Sequence, residues 1–132
     1  MAGSNLKAML SAKITPDDIL GAVIYASGLG ELTKKDSFMH KTVYRMKEEY
    51  PSVFGDFLFD ESGISPFSEE LDGVLFRLET SGILSSMNPS HSTYIVNTAC
   101  GELESSYDKL KKVGFEEDIK LCGAVLRDIS RE

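Results

Sequence analysis

His40, His91, Cys100 and Cys122 are the side chains best suited to ligate a metal or to move a proton near neutral pH. Their spacing points to neither use. A helical zinc pair needs two histidines four apart on one face, and no His-x-x-x-His occurs. His40 falls in a basic helical segment and His91 in a turn, so both read as surface residues. Cys100 and Cys122 fall in separate predicted helices, reading as buried thiols in a reducing cytoplasm; nothing requires a disulfide between them. Asp56, Asp60 and Glu61 are acidic neighbours without the ligand spacing of a calcium loop, and read as a solvated loop. Gly28-Leu29-Gly30 follows a helix rather than a strand, which removes a dinucleotide reading. No phosphate loop or nucleophile elbow is present. The residues therefore predict no catalytic group, no metal and no cofactor, and a chain that is not an enzyme.

Charge is the stronger signal. The formal net charge is −7, whereas a general nucleic-acid binder carries a basic surface because phosphate neutralisation supplies most of its affinity. Distribution matters more than the sum. Residues 68–97 hold Glu69, Glu70, Asp72 and Glu79 against Arg77 alone, a balance of −3. Residues 33–47 hold Lys34, Lys35, Lys41, Arg45 and Lys47 against Asp36, a balance of +4. Lys34, Lys41 and Arg45 recur at i, i+7 and i+11, which predicts one shared helix face for a phosphate or an acidic partner. Lys109, Lys111, Lys112 and Lys120 form a looser group, of which Lys111 and Lys112 suit a helix C-terminus.

These residues need elements to hold them. Thr15-Pro16-Asp17-Asp18 is a helix start with an N-cap, a proline at N1 and two acids. The helix behind it is apolar nearly all round, up to Gly28 and Gly30, and belongs in the centre of the core. Thr33-Lys34-Lys35-Asp36 resembles a second capping box. Met39, Val43, Met46 and Tyr50 follow at helical period until Pro51 ends the helix. Residues 51–63 fit a short helix or a strand, with Val53, Phe54, Phe57, Leu58 and Phe59 largely buried.

Ser68 then caps a helix whose first turn carries Glu69, Glu70 and Asp72, and whose Leu71, Val74, Leu75 and Leu78 make one apolar stripe. Gly82 supplies a left-handed stop. Ile83 and Leu84 open a hairpin that turns at Asn88-Pro89-Ser90-His91 and returns through Thr93-Tyr94-Ile95-Val96. Helix followed directly by hairpin is the layout of a winged helix. Leu103, Tyr107 and Leu110 mark a further helix from Thr98, and Ile119, Cys122, Val125, Leu126 and Ile129 a last one. The short link at Gly114 predicts an antiparallel helical hairpin.

The expected fold is mainly α (α+β), a winged-helix-like domain over residues 14–132 behind a flexible arm at 1–13. A chain of 132 residues can bury about two-thirds of its unfolded surface without staples. Hydrophobic content of 42% with 27% charged residues excludes a disordered chain. No apolar run approaches the roughly 20 residues that span a bilayer, so no membrane partner and a cytoplasmic location are expected.

The segment from Ile64 resembles a pattern of YwgA-like and Panacea-type proteins. Members tend to carry an aromatic-Gly-Pro-Phe-Ser motif, an acid-rich helix, and a Gly-Leu/Ile step into a hairpin. Ser65-Pro66-Phe67-Ser68-Glu69-Glu70-Leu71 matches the centre and Ser81-Gly82-Ile83-Leu84 the exit, with Ile64 in place of the aromatic and Ser65 in place of the glycine. The resemblance implies a mostly helical winged-helix-like fold from prokaryotic and phage settings. It also implies antitoxin-like neutralisation of a partner protein on the Panacea side, and no settled activity on the other. It carries no catalytic residue: Pro66 and Ser68 set the helix start, and Phe67 packs beneath it.

Three functions follow. The first is a non-enzymatic regulatory or protein-interaction module, whose Glu69, Glu70, Asp72 and Glu79 face a basic partner. The second is a winged-helix transcriptional regulator that binds nucleic acid through residues 33–49, as a homodimer placing two such faces one helical turn apart. The third is a small-ligand sensor with an apolar pocket near Phe54, Phe57 and Phe59.

Overall fold

The computed structural model describes residues 14–86 and 92–130. The expected arm at 1–13 and the expected turn at Asn88-Pro89-Ser90-His91 lie outside them. The chain is mainly helical with a small antiparallel sheet of three strands, an α+β fold.

Helix α1 (Pro16–Ser27) is the central post. Thr15 and Asp18 close a capping box, and Gly28 ends the helix at φ 70. Ile19, Leu20, Ala22, Val23 and Ile24 are all but inaccessible. Two later helices, α5 (Gly101–Lys112) and α6 (Glu116–Ser130), flank it. They turn at Gly114, whose φ of 90 suits a residue without Cβ. The two helices pack on each other across this turn, and each packs still more broadly on α1. A Cβ on Gly123 of α6 would lie 2.8 Å from the Ala26 Cβ and carbonyl carbon, so the glycine sets how closely α6 approaches α1.

After α1 the chain enters strand β1 (Glu31–Thr33), which the sequence pattern does not predict. A three-residue strand with one buried side chain, Leu32, is too short to show a period. Strand β2 (Leu84–Ser85) and strand β3 (Thr93–Val96) complete the sheet in the order β1-β3-β2. Leu32 lies opposite Tyr94, and Leu84 opposite Val96.

Helix α2 (Phe38–Glu49) starts later than expected. Thr33 forms no capping box; its hydroxyl accepts from the Lys35 N–H at 3.2 Å, and a 3-10 turn (Lys35–Ser37) intervenes. Pro51 ends α2 by opening a new turn, α3 (Pro51–Phe54), with the proline at N1. Val53, Phe54 and Phe57 are buried as expected, but Leu58 points to solvent. Asp60 and Phe67 then pair antiparallel through both backbone hydrogen bonds, at 2.7 and 3.0 Å. Residues 55–68 thus form a closed flap that leads into α4 (Glu69–Thr80).

The Ser68 hydroxyl accepts from the Leu71 N–H at 3.1 Å, the expected N-cap. Leu71, Val74, Leu75 and Leu78 turn inward. Gly82, at φ 84, passes the chain to β2.

Candidate partner-docking face

His40 is where α2, the flap and α4 meet. The sequence placed it on the surface; it is 8% exposed. Its Nδ1 accepts from the Ser68 N–H at 3.1 Å, so the neutral ring carries its proton on Nε2. Nε2 faces the Asp72 carboxylate at 3.7 Å. The ring stacks on Phe67 with centroids 4.7 Å apart. Phe67 therefore lies against His40 at the start of α4 rather than beneath the helix, and stays half exposed. Burial lowers the His40 pKa, against the opposing pull of Asp72.

A His–Asp pair beside Ser37 in one cleft, of about 220 Å³, invites a nucleophile reading. The ring geometry argues against it. A triad needs one ring nitrogen on the carboxylate and the other free for the hydroxyl. Here Nε2 faces Asp72, and the other nitrogen, Nδ1, is committed to the backbone of Ser68. Among the described residues no group of three or more His, Cys, Asp or Glu is placed to hold a metal ion.

The four acids expected to form a face are all on α4. Glu69, Asp72 and Glu79 are exposed at i, i+3 and i+10, and Phe76 fills i+7 of the same outward stripe. Glu70 turns toward the flap, where its Oε1 accepts from the Leu58 N–H at 3.0 Å and the Ser68 hydroxyl at 3.3 Å. Glu79 is hydrogen-bonded to Ser86.

Around these acids lies apolar surface that the sequence reading missed. Ile64 is fully exposed, and Phe76, Leu58 and Phe67 are 66%, 63% and 44% exposed. Leu58, Ile64 and Phe67 fall within ten residues of chain, whereas Tyr25, Ile95 and Leu121 are exposed elsewhere. The same region holds the chain's negative charge. Residues 48–72 contain eight acids and no Lys or Arg. The rest of the chain, with fourteen cations against thirteen acids, is nearly neutral. That run was readable in the sequence; the outward turn of Leu58 was not.

The cationic residues do not assemble as expected. Lys34 precedes the helix, and its Nζ stands 4.8 Å above the Tyr94 ring on the sheet. Lys41 is exposed on α2, and Arg45 there faces Glu49 at 3.8 Å. Lys47 donates to the Phe57 carbonyl at 2.8 Å, which ties the flap to α2. The fifth cation, Lys35, is exposed in the 3-10 turn.

On the opposite side, Arg77 grips Asp17 through Nε and Nη2, at 2.9 and 2.8 Å, joining α4 to α1. Lys109 and Ser106 of α5 meet Asp18 at 3.3 and 3.1 Å. These acids and bases line the cleft of about 390 Å³ between the three helices and satisfy one another. Both cysteines are free thiols. Burial pushes the Cys122 thiol up to about 12.

Comparisons with protein-family models, with curated proteins and with solved structures find no match for this chain. No helix among the described residues is long and apolar enough to cross a membrane.

Proposed function

We propose that this chain is a non-enzymatic, winged-helix-like regulatory module that docks a basic protein partner on its flap and the outward stripe of α4. The winged reading is supported by the order of elements: α4 leads into the β2–β3 hairpin, whose return strand pairs with β1 in the middle of the sheet. In that layout α4 holds the position of a recognition helix.

The observation that carries the docking reading is what α4 and the flap present there. Three exposed carboxylates share the outward stripe of α4 with Phe76, and three more exposed apolar side chains lie along an acid-only segment. A DNA reader places Arg, Lys, Asn or Gln toward bases and phosphates. Carboxylates around apolar anchors suit a cationic protein surface, with the anchors supplying affinity and the charges steering and selecting. The antitoxin-like role implied by the sequence resemblance fits this reading, and two free thiols fit a cytoplasmic setting.

The nucleic-acid reading through residues 33–49 has less support, since Lys34, Arg45 and Lys47 each already face a ring, a carboxylate or a carbonyl. The ligand-sensor reading has less again, because Phe54 and Phe57 are packed in the core and only Phe59 of the three lines a cleft.

The test is a pull-down from the native host with the wild-type chain and with Phe76→Ser, alongside the mass of the free protein. Capture of one stoichiometric basic protein, weakened by salt and lost in Phe76→Ser, supports docking. Recovery of no stoichiometric partner refutes it, and retention of genomic DNA at physiological salt by a dimer points to the regulator instead.

A further inference from the structure

Within the docking face an open cleft lies where the flap meets the start of α4. Leu58, Phe59 and Phe67 form its apolar walls, and Asp60, Glu69 and Glu70 its rim, around about 280 Å³. We propose that this cleft receives one large apolar side chain of a linear basic segment, whose flanking Lys or Arg residues pair with Asp60, Glu69 and Glu70. The inference rests on the docking reading above and names the kind of partner.

Two of the walls are held by neighbouring rings, and the backbone of the third is tied down. Phe67 is stacked on His40, and its backbone is paired with Asp60. Phe59 lies edge-on to Tyr44 at 5.2 Å, and Tyr44 in turn is hydrogen-bonded to Glu61. The Leu58 N–H is tied to Glu70 and the Phe57 carbonyl to Lys47. A pre-ordered pocket spares the cost of ordering side chains on binding.

The rim carries three carboxyl side chains. Asp60 accepts from the Ser62 N–H and hydroxyl at 2.9 and 2.6 Å, which lowers its pKa. Glu70 uses Oε1 on Leu58 and Ser68, and a carboxylate offers about four lone-pair sites. The Asp60–Phe67 bridge already uses the backbone groups of the two residues that flank the cleft, so the segment is not read as an added strand. Recognition falls to an apolar anchor plus charge.

The experiment uses fluorescently labelled synthetic peptides on the full chain. One is Lys/Arg-rich with a central Leu or Phe; one has Ser at the centre; one carries Glu for every Lys and Arg. The anchored basic peptide should bind at least about tenfold more tightly than the Ser peptide, and the acidic peptide should not bind. Leu58→Ser with Glu69→Lys, both at exposed positions, should abolish the preference while circular dichroism stays unchanged.

Equal binding of the anchored and Ser peptides would overturn the cleft and leave simple charge attraction. So would binding that Phe76→Ser removes and Leu58→Ser leaves intact, although the broader docking reading would survive. Amide shifts in the wild-type chain provide a second readout: perturbation centred on residues 58–70 supports the cleft, and perturbation elsewhere overturns it.

Discussion

His40→Phe isolates the bond that joins α2 to the start of α4. The replacement keeps an aromatic ring against Phe67 but removes the Nδ1 acceptor for the Ser68 N–H, which lies 3.1 Å away on a residue with no exposed surface. An orphaned buried donor costs about 1–3 kcal/mol. In His40→Ala the stack is lost too, for about 0.5–1.5 kcal/mol more. Each kcal/mol corresponds to roughly 3–6 °C in Tm for a chain of this size.

Urea or thermal unfolding followed by circular dichroism at about pH 8 measures this, with His40 neutral in both folded and unfolded chains. The pH dependence has a fixed sign. Burial lowers the His40 pKa from 6.5, so below that value the unfolded chain binds the proton more readily than the folded one. The contribution of His40 is therefore complete above pH 6.5 and is lost as pH falls through 6.5 toward the folded pKa. The stability gap between wild type and His40→Phe should be widest at high pH and narrow below 6.5. A His40→Phe chain as stable as wild type at about pH 8 would refute the assigned bond, and a gap that does not change with pH would refute the assigned protonation state.

Three further outcomes are expected. Gly123→Ala should cost about 1–3 kcal/mol in urea unfolding, because its Cβ meets backbone at Ala26 and Ser27; Gly21→Ala should cost less, since it meets the Ser106 side chain. Native alkylation read by mass spectrometry should label Cys100 and spare Cys122, whose thiol pKa of about 12 and burial withhold the thiolate, until the chain is unfolded. Reversing Lys34, Lys41 and Arg45 to Glu should leave partner capture intact, and DNA retained by wild type at physiological salt but lost in this variant would return the nucleic-acid reading to the front.

Local signals in the sequence located every long helix among the described residues. Thr15, Ser68 and Gly82 are read from their own neighbourhoods, and the stripe from Leu71 to Leu78 needs only its own period. What stayed hidden was set by residues far apart in the chain. The burial of His40 depends on Phe67 and Ser68, 27 and 28 positions later. Leu32 becomes a strand residue because Tyr94 lies opposite it, and Lys34 leaves the predicted helix face for the Tyr94 ring. The acid half of the site was plain, as charge does not depend on folding. The apolar half was not, because an outward Leu58 and an inward Phe57 look alike in a one-letter string.

The placement of α1 also governs the order in which the molecule can be made. Its apolar surface emerges in synthesis before its covering, much of which comes from α5 and α6, some eighty residues and more downstream. Contacts of such long reach close late and slow the search for the native state. Until residues beyond about 100 are available, a nascent chain carries an uncovered greasy rod, the kind of surface that chaperones recognise and that aggregates when they are absent. A premature stop before Gly101 is therefore expected to yield an insoluble product rather than a smaller working module.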